Sequence, residues 1–497
     1  ITIASLTDMA WPLGAGGCSL AVDLLSARPG PLTPPAARAR MPPARVIMKS
    51  ADGCDLAVRP HDGRSVGRFG YRRLTMVERS ASVAVALLLV WLLSVPRGPW
   101  HRAAVLVKNR VHWFSLILGL VWLLGSAWLS ASMLKILAVM LFARPKLLPP
   151  SDMLPSAFST IRELSEKVTV HLLRKAPLEG KETKEFLPVL CFHGFGANGS
   201  SYEDLLEPLT EEMPDALVLC PDQVGFGLSR RPSLHISSQL QRNDLAKHLL
   251  RPKGESGMAL LDDLTTLQMY TLSGNAVIAR AVLDAEPATV KEQVVIGHSM
   301  GAITAAALAV SSARSGHKVK LVLESPAFLS KPCDRLEPSK IGRVTALALR
   351  WQRTVLRLVL QLPGLTYSRR FWQRGLAMAA PMDEERARLQ VLRYRWPSLS
   401  EHWALGLANF VTARLITMED GLVLHELIEA SLEGNLRVLI ITGDQDRVVP
   451  LARSKDLQSL LRCDLQMMEG RGHIAHEEDP KGFAKLVANF VAKSADK

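Results

Sequence analysis

The sequence contains no Cys-x-x-Cys pair and no histidine cluster at zinc spacing, although its 497 residues include six cysteines and thirteen histidines. That argues against a zinc ribbon, a redox dithiol and a structural metal. The cysteines, at 18, 54, 191, 220, 333 and 463, are scattered. Cys191 and Cys220 sit inside apolar runs and read as small core residues of buried strands, so no disulfide framework is expected. No motif calls for a cofactor. Acidic residues are also unevenly missing: none occurs between Ser80 and Pro150. The net charge of +13 would suggest nucleic acid, but residues 1–150 hold 18 Lys/Arg against 6 Asp/Glu, while 151–497 hold 42 against 41. The positive excess flanks the most apolar stretches, which fits a membrane surface and not a DNA groove.

Residues 1–80 read as a disordered or targeting segment. Ser26–Arg45 is rich in Pro, Ala and Arg without an acid, as organelle transit peptides are, although six acids elsewhere in the eighty weaken that reading. Residues 81–142 read as a membrane segment. Ala81–Val95 is fifteen uncharged residues, short for a span and close to a signal-peptide core. Trp113–Leu134 is twenty-two uncharged residues and is the expected transmembrane helix. Basic residues flank both of its ends, so orientation stays open. Residues 143–160, beginning with the Pro-rich Ala143–Pro155, read as a linker.

From about 161 to 497 short apolar strands alternate with longer helical stretches, the pattern of an α/β domain with a mainly parallel sheet. Strands are expected at Lys167–Leu173, Leu187–Phe192, Ala216–Cys220, Gln293–Gly297, Val319–Glu324, Arg437–Thr442 and Asp464–Met468. A helical insert, roughly 331–430, separates the fifth from the sixth.

The strand at Gln293–Gly297 runs into "GHSMG", followed by a helix of small residues. G-x-S-x-G between strand and helix is the context of a nucleophile elbow. The serine sits on a tight turn, and glycines two before and two after let strand and helix pass closely. Gly297, Ser299 and Gly301 fill those places. Downstream, "GDQDRVVP" offers Asp444 and Asp446 after a strand, and "GRGHIAHEEDP" offers His473 and His476 after the next. A serine hydroxyl is a poor nucleophile until an imidazole takes its proton, and the imidazole needs a carboxylate to fix its tautomer. The chain order Ser, Asp, His supplies all three.

With these motifs in register, residues from about Leu187 to Val491 resemble the α/β-hydrolases. "HGFGANGSSYE" (His193–Glu203) is similar to the family's oxyanion loop, and "PDQVGFGLSRRP" (Pro221–Pro232) to its D-x-x-G-x-G-x-S segment. The resemblance implies a mostly parallel sheet with a helical cap, and the triad Ser299, Asp446 and His473. It places the family's acid three residues after Gly443, favouring Asp446 over Asp444. It also implies an oxyanion hole from the backbone N–H groups of Phe195 and Met300. His193, His298 and Asp222 would then order loops, and His476 is the weaker candidate base. The stretch between Gly227 and Lys291 is longer than the family needs.

The insert lies where the family places its cap. A helix over Arg343–Leu362 separates by face: Val344, Ala348, Trp351, Val355, Leu358 and Leu362 on one side, Arg343, Arg350, Arg353 and Arg357 on the other. Lys340–Pro397 carries 12 Lys/Arg against 3 Asp/Glu. Two readings follow: the apolar side packs on the core with the arginines in water, or the cap lies on an anionic bilayer with the arginines at headgroup level. Trp372, Trp396 and Trp403 add pocket-lining or interfacial bulk. The expected function is a membrane-anchored serine esterase or lipase acting on a lipophilic ester, with membrane lipid but no nucleic acid as partner. An acyltransferase using the same triad and a non-catalytic ligand receptor on the same scaffold are the alternatives. No His-x-x-x-x-Asp acyltransferase motif occurs.

Overall fold

Alternation along the apolar strands builds the sheet on which everything else is mounted. In a computed structural model, residues 112–142, 147–178, 186–236, 250–251, 255–286, 292–334, 342–362, 365–381 and 384–493 are described. The segments 1–80 and 81–95 lie outside them. Eight strands form one sheet in the order β1-β2-β4-β3-β5-β6-β7-β8. They are β1 Ser159–Glu163, β2 Thr169–Lys175, β3 Leu187–Phe192, β4 Ala216–Pro221, β5 Glu292–His298, β6 Lys318–Glu324, β7 Leu436–Gly443 and β8 Asp464–Met468. The β1–β2 and β2–β4 pairs are antiparallel, and every other pair is parallel.

Successive side chains point to opposite faces, so β3 feeds two cores. Leu190 and Phe192 enter one, Val189 and Cys191 the other, all fully buried. Both faces are covered by helices, as a parallel sheet requires. Helices α3 Leu272–Asp284 and α4 Gly301–Arg314 supply the first core, whereas α2 Glu203–Glu212 and α11 Pro480–Ala492 supply the second. Each fully buried Leu or Phe contributes roughly 1.5–3 kcal/mol.

The seven expected strands are present within one to two residues at each end. β1 was not expected. It is a sheet edge of sequence STIRE, half-buried and without an apolar run, and its partner β2 starts two residues late because Lys167 belongs to the turn between them. The expected linker, 143–160, runs into the first two residues of β1, and its preceding part is fixed to the insert. Leu148 bridges Ser400 in parallel, with Leu148 N–H on Leu399 O at 3.1 Å, Glu401 N–H on Leu148 O at 3.0 Å, and the Trp396 indole on Met153 O at 2.6 Å.

The insert between β6 and β7 holds α5 Arg343–Leu360, α6 Arg369–Ala379, α7 Glu384–Arg395, α8 Trp403–Thr417 and α9 Asp420–Ser431. After β7 comes α10 Leu451–Leu461. In α5 the first of the two readings, apolar side on the core, does not hold. Val344 is 82% exposed and Trp351 70%, with Val355 and Leu358 also exposed. The Arg350 guanidinium instead donates to Ile236 O at 2.7 Å, and that of Arg353 donates to Leu234 O. Ala346 is buried, and Leu349 and Leu360 pack on the core. The apolar side is therefore not packed on the core: Arg350 and Arg353 reach back to the body, while Arg343 and Arg357 are exposed.

Ahead of the sheet, helix α1 spans His112–Phe142 and includes the expected span Trp113–Leu134. Among the described residues no helix is long and apolar enough to cross a membrane. The fold therefore does not establish a transmembrane helix.

Candidate active site

Ser299 stands between β5 and α4 at φ +53°, in the left-handed region that non-glycine residues rarely occupy. Its N–H donates to Glu324 O at 2.9 Å, which holds the turn against the end of β6. The neighbouring glycines are required by distance. A Cβ at Gly297 would lie 2.5 Å from the Ala305 Cβ, and one at Gly301 2.3 Å from Phe192 O. Gly194, in the loop after β3, is pressed as closely: its Cβ would meet His298 Nδ1 at 2.8 Å and Ser299 Cβ at 3.2 Å.

His473 follows β8, and its Nδ1 lies 2.9 Å from Asp446 Oδ2. The other Asp446 oxygen accepts the N–H groups of Val448 and Val449 at 2.8 and 2.9 Å. Burial pushes the Asp446 carboxyl up, but the His473 hydrogen bond and charge, with the Val449 N–H, bring it below the usual carboxylate range. It is therefore ionised at neutral pH, as a partner for an imidazolium must be. Asp444 does something else: Oδ1 accepts the Gly470 N–H at 2.7 Å, ordering the exposed loop ahead of His473.

His298 Nε2 donates to His473 O at 2.9 Å, and the two rings lie 4.7 Å apart. The elbow is thereby tied to the histidine loop. His193 Nδ1 donates to Gly194 O at 2.9 Å while Nε2 accepts the Gln223 N–H at 3.1 Å. Burial holds both His193 and His298 below the usual imidazole value. Both order loops as neutral rings. Asp222 accepts N–H groups from Gly199 and Leu228 and pairs with His171 at 2.7 Å. Burial opposes its charge, but the His171 charge and hydrogen bond prevail and pull it to about 2.

Met300 follows Ser299, and Phe195 follows Gly194, whose position lies against the serine; no backbone hydrogen bond from either N–H is found among the described residues. The Phe195 ring packs edge-on to Phe226, 5.6 Å away. The cap closes over this corner. A Cβ at Gly196 would touch Trp372 of α6 at 3.8 Å, and the His473 N–H donates to Ala379 O at 2.6 Å. Ser299 is 8% exposed and His473 6%.

Sequence reasoning missed the layer behind the histidine. His476 is fully buried, with Nδ1 2.7 Å from Glu324 Oε2 and its ring stacked on Tyr202 at 4.5 Å. Glu477 beside it accepts the Tyr394 hydroxyl of α7 at 2.7 Å. Burial pushes Glu477 up to about 7, against the His476 charge and the Tyr394 hydrogen bond. Both Glu478 oxygens accept the Gly472 N–H at 2.9 Å. The one sequence signal was "HEED", four charged or titratable residues in a turn that packs on the core. Among the described residues no group of three or more His, Cys, Asp or Glu is arranged to hold a metal ion.

Residues 189–486 match the alpha/beta hydrolase family. No curated protein matches the chain. Among solved structures, the chain is similar to a serine hydrolase involved in carbazole degradation (the CarC enzyme), at 15% identity over 67% of this chain and 99% of that one, TM-score 0.42. It is also similar to an esterase from Exiguobacterium antarcticum, at 16% identity over 67% and 99%, TM-score 0.42. A third is the 2-hydroxy-6-oxo-6-phenylhexa-2,4-dienoate hydrolase of Rhodococcus sp. strain RHA1, at 16% identity over 67% and 98%, TM-score 0.38. Likenesses at this level carry no functional argument.

Proposed function

The chain belongs to the α/β-hydrolase family, and from that premise we propose that it is a membrane-anchored serine hydrolase cleaving a lipophilic carboxylic ester through an acyl-enzyme. The observation that carries this reading is the Asp446–His473 hydrogen bond, tied through His298 to the turn that bears Ser299. In this reading His473 Nε2 takes the Ser299 hydroxyl proton as Oγ attacks the ester carbonyl. Asp446 holds the Nδ1–H and balances the imidazolium. The carbonyl oxygen becomes an oxyanion between the Phe195 and Met300 N–H groups, where each donor is worth about 3–4 kcal/mol in the transition state. Collapse expels the alcohol, which takes the proton from His473, and Ser299 keeps the acyl group. Water then attacks the acyl-enzyme with His473 as base, and the carboxylic acid leaves.

The anchor in this reading is α1. Its described apolar side chains stand in the open: Leu120, Val121, Leu123, Leu124, Trp128 and Leu134 are all more than half exposed. A helix apolar on every side needs an apolar surround, and a bilayer supplies one to a continuous uncharged run from 113 to 134. A lipophilic ester is the substrate class such a placement favours.

A fluorophosphonate probe, followed by peptide mapping and a panel of esters of increasing acyl length, tests the chemistry. The adduct is expected on Ser299, with preference for longer chains. No adduct on Ser299 in folded protein overturns the nucleophile. Carbonate extraction tests the anchor separately, and release of the full chain overturns it.

A further inference from the structure

Helix α5 exposes what an ordinary surface helix hides. Val344, Leu347, Trp351, Val355, Leu358 and Val359 are 82, 66, 70, 39, 52 and 40% exposed. At about 100° per residue they share an arc of about 120°, continuous along the helix. The inner side holds Ala346, Leu349 and Leu360, and it is fixed by polar contacts. Arg350 and Arg353 bind the carbonyls of Ile236 and Leu234, and Gln352 accepts the Thr412 hydroxyl of α8 at 3.3 Å. The apolar arc is therefore held outward by the contacts on its opposite side.

Two observations say what covers it. The first is charge. Residues 342–382 carry seven arginines and no Asp or Glu, and Arg343, Arg350 and Arg357, seven residues apart, are exposed on the flank beside the arc. A protein partner could match either sign, whereas an anionic phospholipid surface matches an apolar strip with a purely basic border. The second is chain geometry. Leu148 is bridged to Ser400, two residues ahead of the α8 N-cap, and α8 is the helix on which α5 sits. Phe142, the last residue of α1, precedes Leu148 by six residues, so about 22 Å is the farthest the two can be apart. The end of the apolar helix is thus tethered to the same insert that carries α5.

We propose that the exposed face of α5 is a second membrane contact, seated in the headgroup region of an anionic bilayer with Arg343 and Arg357 at phosphate level. This rests on the reading of α1 as an anchor only for the vicinity of the bilayer. The chain after α5 leads through a short connection into α6, whose Trp372 and Ala379 lie against the oxyanion loop and His473. A lipophilic ester would reach Ser299 from the bilayer side, beneath the cap, without crossing water.

The test uses the full chain reconstituted in vesicles of phosphatidylglycerol and phosphatidylcholine with brominated acyl chains. Bromine quenches tryptophans that enter the bilayer, and subtracting the signal of the Trp351→Phe variant isolates Trp351 from the other indoles. The Trp351 component is expected to be quenched, more strongly with phosphatidylglycerol than with phosphatidylcholine alone. Replacing Val344, Leu347, Trp351, Val355 and Leu358 by Gln together should cut turnover of a vesicle-embedded ester by about tenfold or more, while turnover of a soluble short ester is unchanged. An unquenched Trp351 in a chain that resists carbonate overturns the contact and leaves the anchor standing. A quenched Trp351 in a chain that carbonate releases does the reverse. Protection of Trp351 by a second copy, seen as a crosslinked dimer, also overturns it.

Discussion

Helices α4 and α5 carry similar shares of apolar side chain in opposite surroundings. α4 lies between the sheet and helices α3 and α9, and from Gly301 to Val310 every residue is buried. α5 buries a single alanine and leaves its largest apolar side chains in the open. The difference lies in what the neighbours offer. Beside α4 the strand backbone and the neighbouring helices come so close that small residues are selected and glycine is forced where strand and helix cross. Beside α5 there are the free carbonyls of Leu234 and Ile236, and guanidinium groups satisfy them. An unpaired buried carbonyl costs about 1–3 kcal/mol, enough to turn a helix whose apolar face has an alternative cover.

The sharpest way to set the two regions apart is to alter one atom group at the elbow. Ser299→Ala should lower ester turnover by about 10³-fold or more with the fold intact, measured on a short chromogenic ester in purified protein. Arg357→Gln, on α5, should leave that same assay unmoved. Survival of activity in Ser299→Ala would end the assignment of the nucleophile.

Next in size is the carboxylate. Asp446→Asn removes the charge that balances His473 and should cost about 10²–10⁴-fold in kcat. Asp444→Asn loosens only the Gly470 turn and should cost far less. The opposite ranking would transfer the role to Asp444.

These two aspartates also mark how far the sequence could be read. Both follow the same strand, and residue chemistry alone left them equal; the spacing from Gly443 separated them only through a family resemblance. Leu187–Phe192 was legible because a strand buried on both faces must be an unbroken apolar run. Ser159–Glu163 was not, because an edge strand needs no such run. The periodicity of α5 gave two correct faces without saying which one points inward, since that depends on carbonyls more than a hundred residues earlier in the chain. The layer of Glu324, His476, Glu477 and Tyr394 was invisible for the same reason. Its members come from β6, the histidine loop and α7, and no local pattern joins them.

That layer gives the next prediction, a contrast in pH dependence with the turn around Asp222. Glu477 has a folded value of about 7 against an ordinary 4.5, so its share of stability is complete below about 4.5 and is lost as pH rises through about 7. Asp222, at about 2 against an ordinary 3.8, contributes above about 3.8 and loses that share as pH falls through about 2. His476 is also raised: burial lowers it, but the Glu324 charge and hydrogen bond prevail, so it adds to the loss on the alkaline side. Urea unfolding from about pH 5 to 8 should show stability declining, by roughly 1–3 kcal/mol from Glu477. Glu477→Gln keeps the Tyr394 hydrogen bond and removes the titration, so its profile should be flatter. An unchanged slope in the variant would mean that Glu477 does not hold a proton in the folded state.

The smallest effect concerns the lock beneath α5. Arg353 is half-buried and donates to Leu234 O, with Asn409 Oδ1 at 3.5 Å as a second contact. Arg353→Gln shortens the side chain out of reach and leaves the carbonyl without its donor. A lost hydrogen bond of this kind costs about 0.5–1.5 kcal/mol, which lowers Tm by about 1–2 °C in a domain of this size. Arg357→Gln, on an exposed side chain, should leave Tm where it was. The pair separates the two orientations of α5 without any lipid. If the helix were turned so that its apolar face packed on the core, both arginines would be solvated and neither variant would shift Tm. A drop confined to Arg353→Gln is what the outward apolar face requires, because only then does the guanidinium hold the helix down.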